Sequence, residues 1–308
     1  MLRLLPLLYS TATLVQAHIA AWNEGMYCLN GTSGQDNQNA NEAVTPLYQL
    51  SFSQWWMHHN NKCDEFPPAP GKFLQLPAGG SFTVELADNR AHTTFSYGGR
   101  YTSDWGDGKA HPEFSSKDRK DECITSPNLH TTNETEAAGT AFAISYHSNI
   151  KDVTPENLVV FSVKYHTPWK RLTTYDVPLS LPACPAGGCH CVWGWIPNHC
   201  GQSNMYMLPY KCIVTGAKST IPLDTPASPP RWCEDDPTKC IKGAKQMIFW
   251  AQKDGNNVIV EGTQRDGHLK SPGYNQKMGF REGAQDDIFQ KPRVVSSRHL
   301  QVPMMYEQ

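Results

Sequence analysis

A histidine that becomes the first residue of a processed chain could hold a metal. Residues 1–17 read MLRLLPLLYSTATLVQA, with one basic residue, Arg3, and an apolar run over 4–15. Val15 and Ala17 place small residues three and one before a cut. This is the pattern of a secretory signal peptide. The apolar run is too short to span a bilayer, which takes roughly 20 residues. Cutting after Ala17 makes His18 the first residue, followed by Ile19, Ala20, Ala21 and Trp22. An N-terminal histidine offers two nitrogens, the α-amine and ring Nδ1, which close a chelate on one ion. The reference pKa of the α-amine is about 7.7–8.0, so Cu(II) displaces its proton near neutral pH. A third nitrogen from another histidine completes a T-shaped set, and tetragonal nitrogen coordination favours copper over zinc. The chain holds 12 histidines, so the second ligand stays open on these grounds.

Sulfur is the other chemical resource. Ten cysteines are an even number, and in an exported chain they suggest up to five disulfides. Cys233 and Cys240 are close enough in sequence for a local bridge. The segment 184–212 contains Cys189-His190-Cys191 and His199-Cys200, but their spacing fits no usual zinc knuckle. Export also opens two glycosylation sequons, at Asn30 and Asn133. The 27 basic and 29 acidic residues leave no positive excess for nucleic-acid binding. No later stretch is long and apolar enough for a span, and the tail MMYEQ is polar, so neither a membrane nor a lipid anchor is expected.

The elements that must position these residues read as short strands. Runs at 81–86, 141–146, 158–165 and 210–216 are each bounded by Gly, Pro, Asn or Asp. FTVEL and FSVKY alternate as half-buried strands do. With 23 Gly and 23 Pro, the pattern predicts an all-β, immunoglobulin-like antiparallel β-sandwich with long loops. One or two short helices are expected. One lies over 52–61, and the clearest over 236–253, with Pro237 early and Asp254-Gly255-Asn256 as its stop. PLDTPASPP at 222–230 reads as a rigid connector. Residues 262–308 are expected to be an irregular or partly disordered tail.

The start HIAAWNEGMYCLNGT and the segments ITSPNLHT, AAGTAFAISYHS, CPAGGCHCVWGWIPNHCG and LPYKCIVTGA resemble the lytic polysaccharide monooxygenases. The likeness is to auxiliary activity family 14 of wood-decay fungi, through most of 18–260. The resemblance implies a secreted copper oxygenase domain over 18–261, acting oxidatively on plant cell-wall polysaccharide, xylan associated with cellulose. It maps the N-terminal copper histidine onto His18, the second onto His130 and the axial tyrosine onto Tyr206. His92, His111 and His147 remain alternatives for the second ligand, and Tyr210 for the tyrosine. If 204–207 is extended, Asn204 shares a face with Tyr206 and stands near the copper.

Such a reaction needs a one-electron metal, O2 or H2O2, and an external electron donor, because the chain shows no flavin or haem motif. A monomer is expected. The Gly-rich aromatic segment 95–114, with Tyr97, Tyr101 and Trp105, and the nearby Trp22 are candidates for a polysaccharide-facing surface, while Trp55, Trp56, Trp193 and Trp195 are assigned to the core. Two other classes compete. One is a non-catalytic copper-binding protein of the same fold, whose relatives tend to carry an aspartate where Tyr206 stands. The other is a glycosidase with two carboxylates, for which no local pattern is present.

Overall fold

The computed structural model describes residues 18–115, 122–127, 129–198, 200 and 202–291. The expected signal segment, and positions 292–308 of the expected tail, lie outside the described residues. Nine strands are described: β1 (Ala20–Trp22), β2 (Leu74–Pro77), β3 (Ser81–Ala87), β4 (Thr140–Ser145), β5 (Val159–Lys164), β6 (Leu172–Asp176), β7 (Cys189–Trp195), β8 (Tyr206–Thr215) and β9 (Gly283–Ala284). They form a three-stranded sheet, β1-β3-β6, and a six-stranded sheet, β2-β8-β7-β4-β5-β9. The four strand runs expected from alternation are all present, and the last begins four residues earlier, at Tyr206. The architecture is the expected all-β sandwich, with one departure from antiparallel pairing. β2 runs parallel to β8, pairing Leu74 with Cys212 and Leu76 with Val214.

Between the sheets lies an aromatic core. Phe82 of β3 stacks on Tyr175 of β6 at 5.6 Å between ring centroids and meets Phe142 of β4 edge-on at 5.0 Å. Tyr210 of β8 joins Phe142 at 5.4 Å. The side chains of one β4 face, Phe142 and Ile144, belong to this core, while Ala141 and Ala143 face a second one. That second core also takes Val192 of β7 and Met207 of β8, and is closed by Leu47, Trp55, Met247, Phe249, Tyr274 and Phe280 from outside the sheets. The large sheet is therefore covered on both faces, which is why β4 and β7 are buried throughout and do not alternate with polar residues. The cover sits very close. A Cβ at Gly194 in β7 would lie 2.4 Å from Met247 Cε and 2.6 Å from the Tyr274 hydroxyl, so only glycine fits there.

That cover overturns one expectation. Residues 236–253 are not a helix. Only Pro237–Lys239 turns, as a single 3-10 turn whose first amides are capped by Asp236. Beyond it Gly243 adopts φ +81°, and the chain runs extended: Lys245 bridges Ser228 and Gln246 bridges Val159. Met247, Ile248 and Phe249 are buried in succession, which suits a strand-like cover on the sheet and not one face of a helix. The short helix expected over 52–61 is present as α1 (Phe52–Trp55) continuing into a 3-10 segment, Trp56–Asn61. Residues 262–291 hold little regular structure, yet they pack: β9 pairs with β5, and Tyr274, Met278, Phe280 and Ile288 are buried.

The ten cysteines form five disulfides: Cys28–Cys63, Cys123–Cys200, Cys184–Cys189, Cys191–Cys212 and the local Cys233–Cys240 bridge. Two buried histidines sit beside the cysteine-rich strands. His190 of β7 meets the Tyr27 hydroxyl at 2.9 Å and the His147 carbonyl at 2.8 Å. His58 lies between the carbonyls of Met207 and Glu42. Burial pushes both imidazoles down to about 4, against the carbonyl contacts that would raise them. Burial thus drives both rings towards the neutral form, in which His58 donates to only one of its two carbonyls. The rings' contribution to stability is complete above the unfolded-state value near 6.5 and is lost as pH falls towards 4. Chemical denaturation should show stability falling between pH 6.5 and 4, by on the order of 3 kcal/mol per imidazole. In His190→Gln that slope should be shallower, and an unchanged slope would show that His190 is already charged in the fold.

Candidate metal centre

Tyr206, Trp195 and His130 lie together at one end of the large sheet. Tyr206 opens β8 and pairs in register with Trp195, the last residue of β7, which in turn pairs with Thr140 at the start of β4. The side chains follow the backbone: the Trp195 and Tyr206 rings stack at 4.6 Å with a 25° interplanar angle. Both are buried. Cross-strand aromatic pairs of this kind add about 0.5–1.5 kcal/mol beyond their burial. Tyr210, the alternative tyrosine, lies inside the core with its hydroxyl donating to the Ala21 carbonyl. Burial raises its phenol well above the ordinary value, so it is a neutral structural group.

His130 lies in the loop before β4, with φ +44° in the left-handed region that non-glycine residues seldom adopt. Such a backbone costs on the order of 1–3 kcal/mol and persists where its surroundings fix it. Its ring is buried and lies 5.9 Å from Trp195, on the same indole that Tyr206 stacks against. Two contacts fix the residue. Its backbone amide donates to the Ile124 carbonyl at 3.0 Å, and ring Nδ1 donates to the Cys200 carbonyl at 2.5 Å. Cys200 is itself tied to Cys123, one residue before Ile124, so one disulfide joins both anchoring segments. With Nδ1 carrying the proton, the ring lone pair belongs to Nε2. A backbone carbonyl holding one histidine nitrogen is how metal-ligating imidazoles are commonly oriented.

His18 is half-buried, two residues before β1. Ile19, the next residue, is fully buried in the same core that contains Leu129, Trp195 and Tyr206. The antiparallel register of β1 with β3, Ala20 opposite Ala87, directs the chain start towards the corner at Asp88 and Asn89. Asn204 is buried two residues before Tyr206. Its amide nitrogen donates to the Gln202 carbonyl at 3.0 Å, while Oδ1 has no hydrogen-bond partner among the described residues. Trp195 Nε1 is likewise buried and without a hydrogen-bond partner there. Polar atoms left in that state are rare and call for an explanation such as an ion or a bound ligand.

The three alternative histidines are engaged elsewhere in the structure. His92 pairs with Asp88 at 2.5 Å at the end of a 3-10 turn and not beside a strand, and that hydrogen bond raises its pKa. His111 is gripped between Asp107 and Glu113 at 2.9 and 2.8 Å and stacks on Phe114. His147 bonds Ser145 and offers its carbonyl to His190. Of the aromatics expected on a surface, Trp22 and Trp105 are buried: Trp22 Nε1 donates to the Ala87 carbonyl, and Trp105 packs against Trp169 and Phe114. Tyr97 and Tyr101 are exposed, 42% and 48%, and meet edge-on at 5.3 Å. The Tyr97 hydroxyl accepts from Asn39 and its amide donates to Gln38. Trp193 and Trp195 lie in the core as expected, but the partnership of Trp195 with both Tyr206 and His130 was not anticipated. Strand register could have found the Tyr206 contact, since Trp195 and Tyr206 face each other across β7 and β8, but not the His130 contact, which comes from a loop.

A cleft of about 480 Å³ is lined by Cys200, Gln202, Ser203, Trp250, His268 and Lys270, among others. The arrangement makes a direct demand on His130. Its nitrogen spectrum should show the Nδ1–H tautomer at neutral pH in the metal-free chain. A two-bond nitrogen–proton correlation pattern of the Nε2–H form would show that the Cys200 carbonyl does not fix the ring.

Sequence comparison leads to the same family as the motifs. A model of the family described as lytic polysaccharide monooxygenase AA14 matches residues 1–303. The chain is 37% identical over 288 residues to an AA14 family lytic polysaccharide monooxygenase B of Trametes coccinea, covering 90% of this chain and 63% of that protein. It is 36% identical to a protein of the same description from Pycnoporus cinnabarinus, over 90% of this chain and 71% of the other. A third, from Talaromyces rugulosus, is 35% identical over 90% of this chain and 94% of its own length. The chain thus spans under two thirds of the Trametes relative. With the sandwich, the five disulfides and the match along nearly its whole length, the chain belongs to the AA14 family of lytic polysaccharide monooxygenases.

Proposed function

We propose that this protein is a secreted, copper-dependent monooxygenase that cleaves plant cell-wall polysaccharide oxidatively, xylan associated with cellulose being the expected substrate. The observation that carries the reading is His130. Its ring is held through Nδ1 by the Cys200 carbonyl and seated on the same indole as Tyr206, so Nε2 is the ligating atom. The donor set suits the ion: two nitrogens from a processed His18 and one from His130 make the tetragonal nitrogen set that copper prefers. Copper held there supplies the one-electron chemistry that, with O2 or H2O2 and an external electron donor, removes hydrogen from a strong C–H bond.

The residues of the chain do the rest. The His18 amine must lose its proton to ligate, which its ordinary pKa near 8 allows at neutral pH. Tyr206 presents a phenol that its stack on Trp195 prevents from swinging away. Asn204 offers a buried carboxamide oxygen as an acceptor beside it. Tyr97 and Tyr101 present aromatic surface to a sugar chain, held by Asn39 and Gln38 in the loop that begins near the His18 end of β1. Burial of Trp22 and Trp105 withdraws those two from the surface. The five disulfides and the signal pattern support export, and glycosylation at Asn30 and Asn133 remains part of the same proposal.

Cu(II) electron paramagnetic resonance on protein cleaved after Ala17, beside a version keeping one residue before His18, tests the ligand set. An axial spectrum with three nitrogen couplings is expected from the first and not the second. Identical spectra would remove His18 from the centre. Oxidised sugars should appear from xylan-coated cellulose only with a reductant, and fall by roughly a hundredfold or more in His130→Ala, as for loss of a metal ligand's support. Copper binding without oxidised products on any polysaccharide would favour a non-catalytic copper protein.

A further inference from the structure

A second cavity, of about 510 Å³, lies away from the His130 cluster, against the Cys233–Cys240 disulfide and the segment leading to β9. Its lining carries five cations, Lys242, Lys245, Arg265, Lys277 and Arg281, against two carboxylates, Glu234 and Asp287, in a chain whose overall charge is −2. Pairing sharpens the imbalance. Glu234 is engaged by Lys277 at 3.8 Å, and the Arg265 guanidinium donates to the Glu234 carbonyl at 2.6 Å. Lys242, Lys245 and Arg281 form no ion pair among the described residues. Asp287 is the one carboxylate left to set against them, and its Oδ2 accepts the Gly243 amide at 2.9 Å.

Lys245 is the unusual member. It is only 3% exposed, and its ammonium donates to the Gly243 carbonyl at 3.1 Å and sits 5.5 Å from the Phe280 ring. An ammonium has three donors, and lysines are seldom buried without an anionic partner. Burial lowers its pKa, and nearby Arg281 adds to this while Asp287 opposes it. An anion in the cavity would relieve the burial of that charge.

We infer that this cavity binds the carboxylate of an acidic sugar, as a site separate from the metal centre. The unpaired cations Lys242, Lys245 and Arg281 recognise the carboxylate. The size of the cavity falls in the range for small-molecule sites. Gln276 and Asp287 line the same space and can accept from hydroxyl groups. Asp287 opposes any anion close to it and can accept from a hydroxyl, which a sugar body presents apart from its carboxylate. Such a site would tether the protein to uronate-bearing polysaccharide independently of its chemistry.

Calorimetric titration of the full chain, at low salt, would compare an oligosaccharide carrying one glucuronate branch, the same oligosaccharide without it, and inorganic phosphate. The branched compound should bind at least roughly tenfold more tightly than the unbranched one, the worth of one charged hydrogen bond. Lys242→Gln combined with Arg281→Gln, both at exposed positions outside the core, should remove most of that preference. Equal binding of the two oligosaccharides, or an unaltered preference in the double variant, would overturn the site. Phosphate binding as tightly as the branched sugar would overturn the sugar assignment in favour of a general oxyanion pocket. Copper binding measured in the same variants is expected to be unchanged, so failure here leaves the metal centre's own test standing.

Discussion

The stack of Trp195 on Tyr206 is the contact through which the sheet holds the candidate centre. One indole serves two partners, Tyr206 across the strand pair and His130 from the preceding loop. Because it terminates β7, its position is set by the hydrogen-bond register of three strands and not by a loop. A ligand placed on such a frame inherits the rigidity of the core, which sites built on loops lack. The second fixing point is sulfur. The bridge from Cys123 to Cys200 ties together the two stretches whose carbonyls, at Ile124 and Cys200, receive the amide and the ring of His130.

Burial of the large sheet on both faces explains much of the remaining chain. A single sandwich needs one apolar face per sheet, but here a second core requires a second layer. That layer comes from 47–63, which holds α1 and its 3-10 continuation, and from 244–288, which has little regular structure; backbone carbonyls around it accept from the side chains of Gln246, Gln252, Asn257 and Gln285. Buried glutamines and asparagines do here what a ladder does in a strand: they pair backbone groups that would otherwise be stranded away from water.

This division also decides what could be read from the residues alone. The strands were legible because β3 and β5 keep polar and apolar positions distinct enough to show their period, and because their ends are marked by turn residues. The even cysteine count and the local Cys233–Cys240 bridge were legible for similar local reasons. The cover over 244–249 was not. Its consecutive apolar residues have no period of their own, and only contact with the sheet dictates their extended course. Trp105 misled for the opposite reason: its Gly-rich, polar neighbourhood suggested exposure, while the folded loop turns the indole inward; Trp22 ends β1 with its indole in the core. The link from Cys200 to His130 joins residues seventy apart and leaves no trace in spacing.

The two outer strands of the large sheet are short. β9 is two residues long, and β2 is four, ending in Pro77, which cannot donate to a neighbouring ladder. Such edges give an incoming strand little to pair with, which natural sheet proteins use to avoid joining edge to edge. Copies of the chain that meet at high local density are offered little edge to join by. In this fold the resistance to sticking together is written into the strands farthest from the centre.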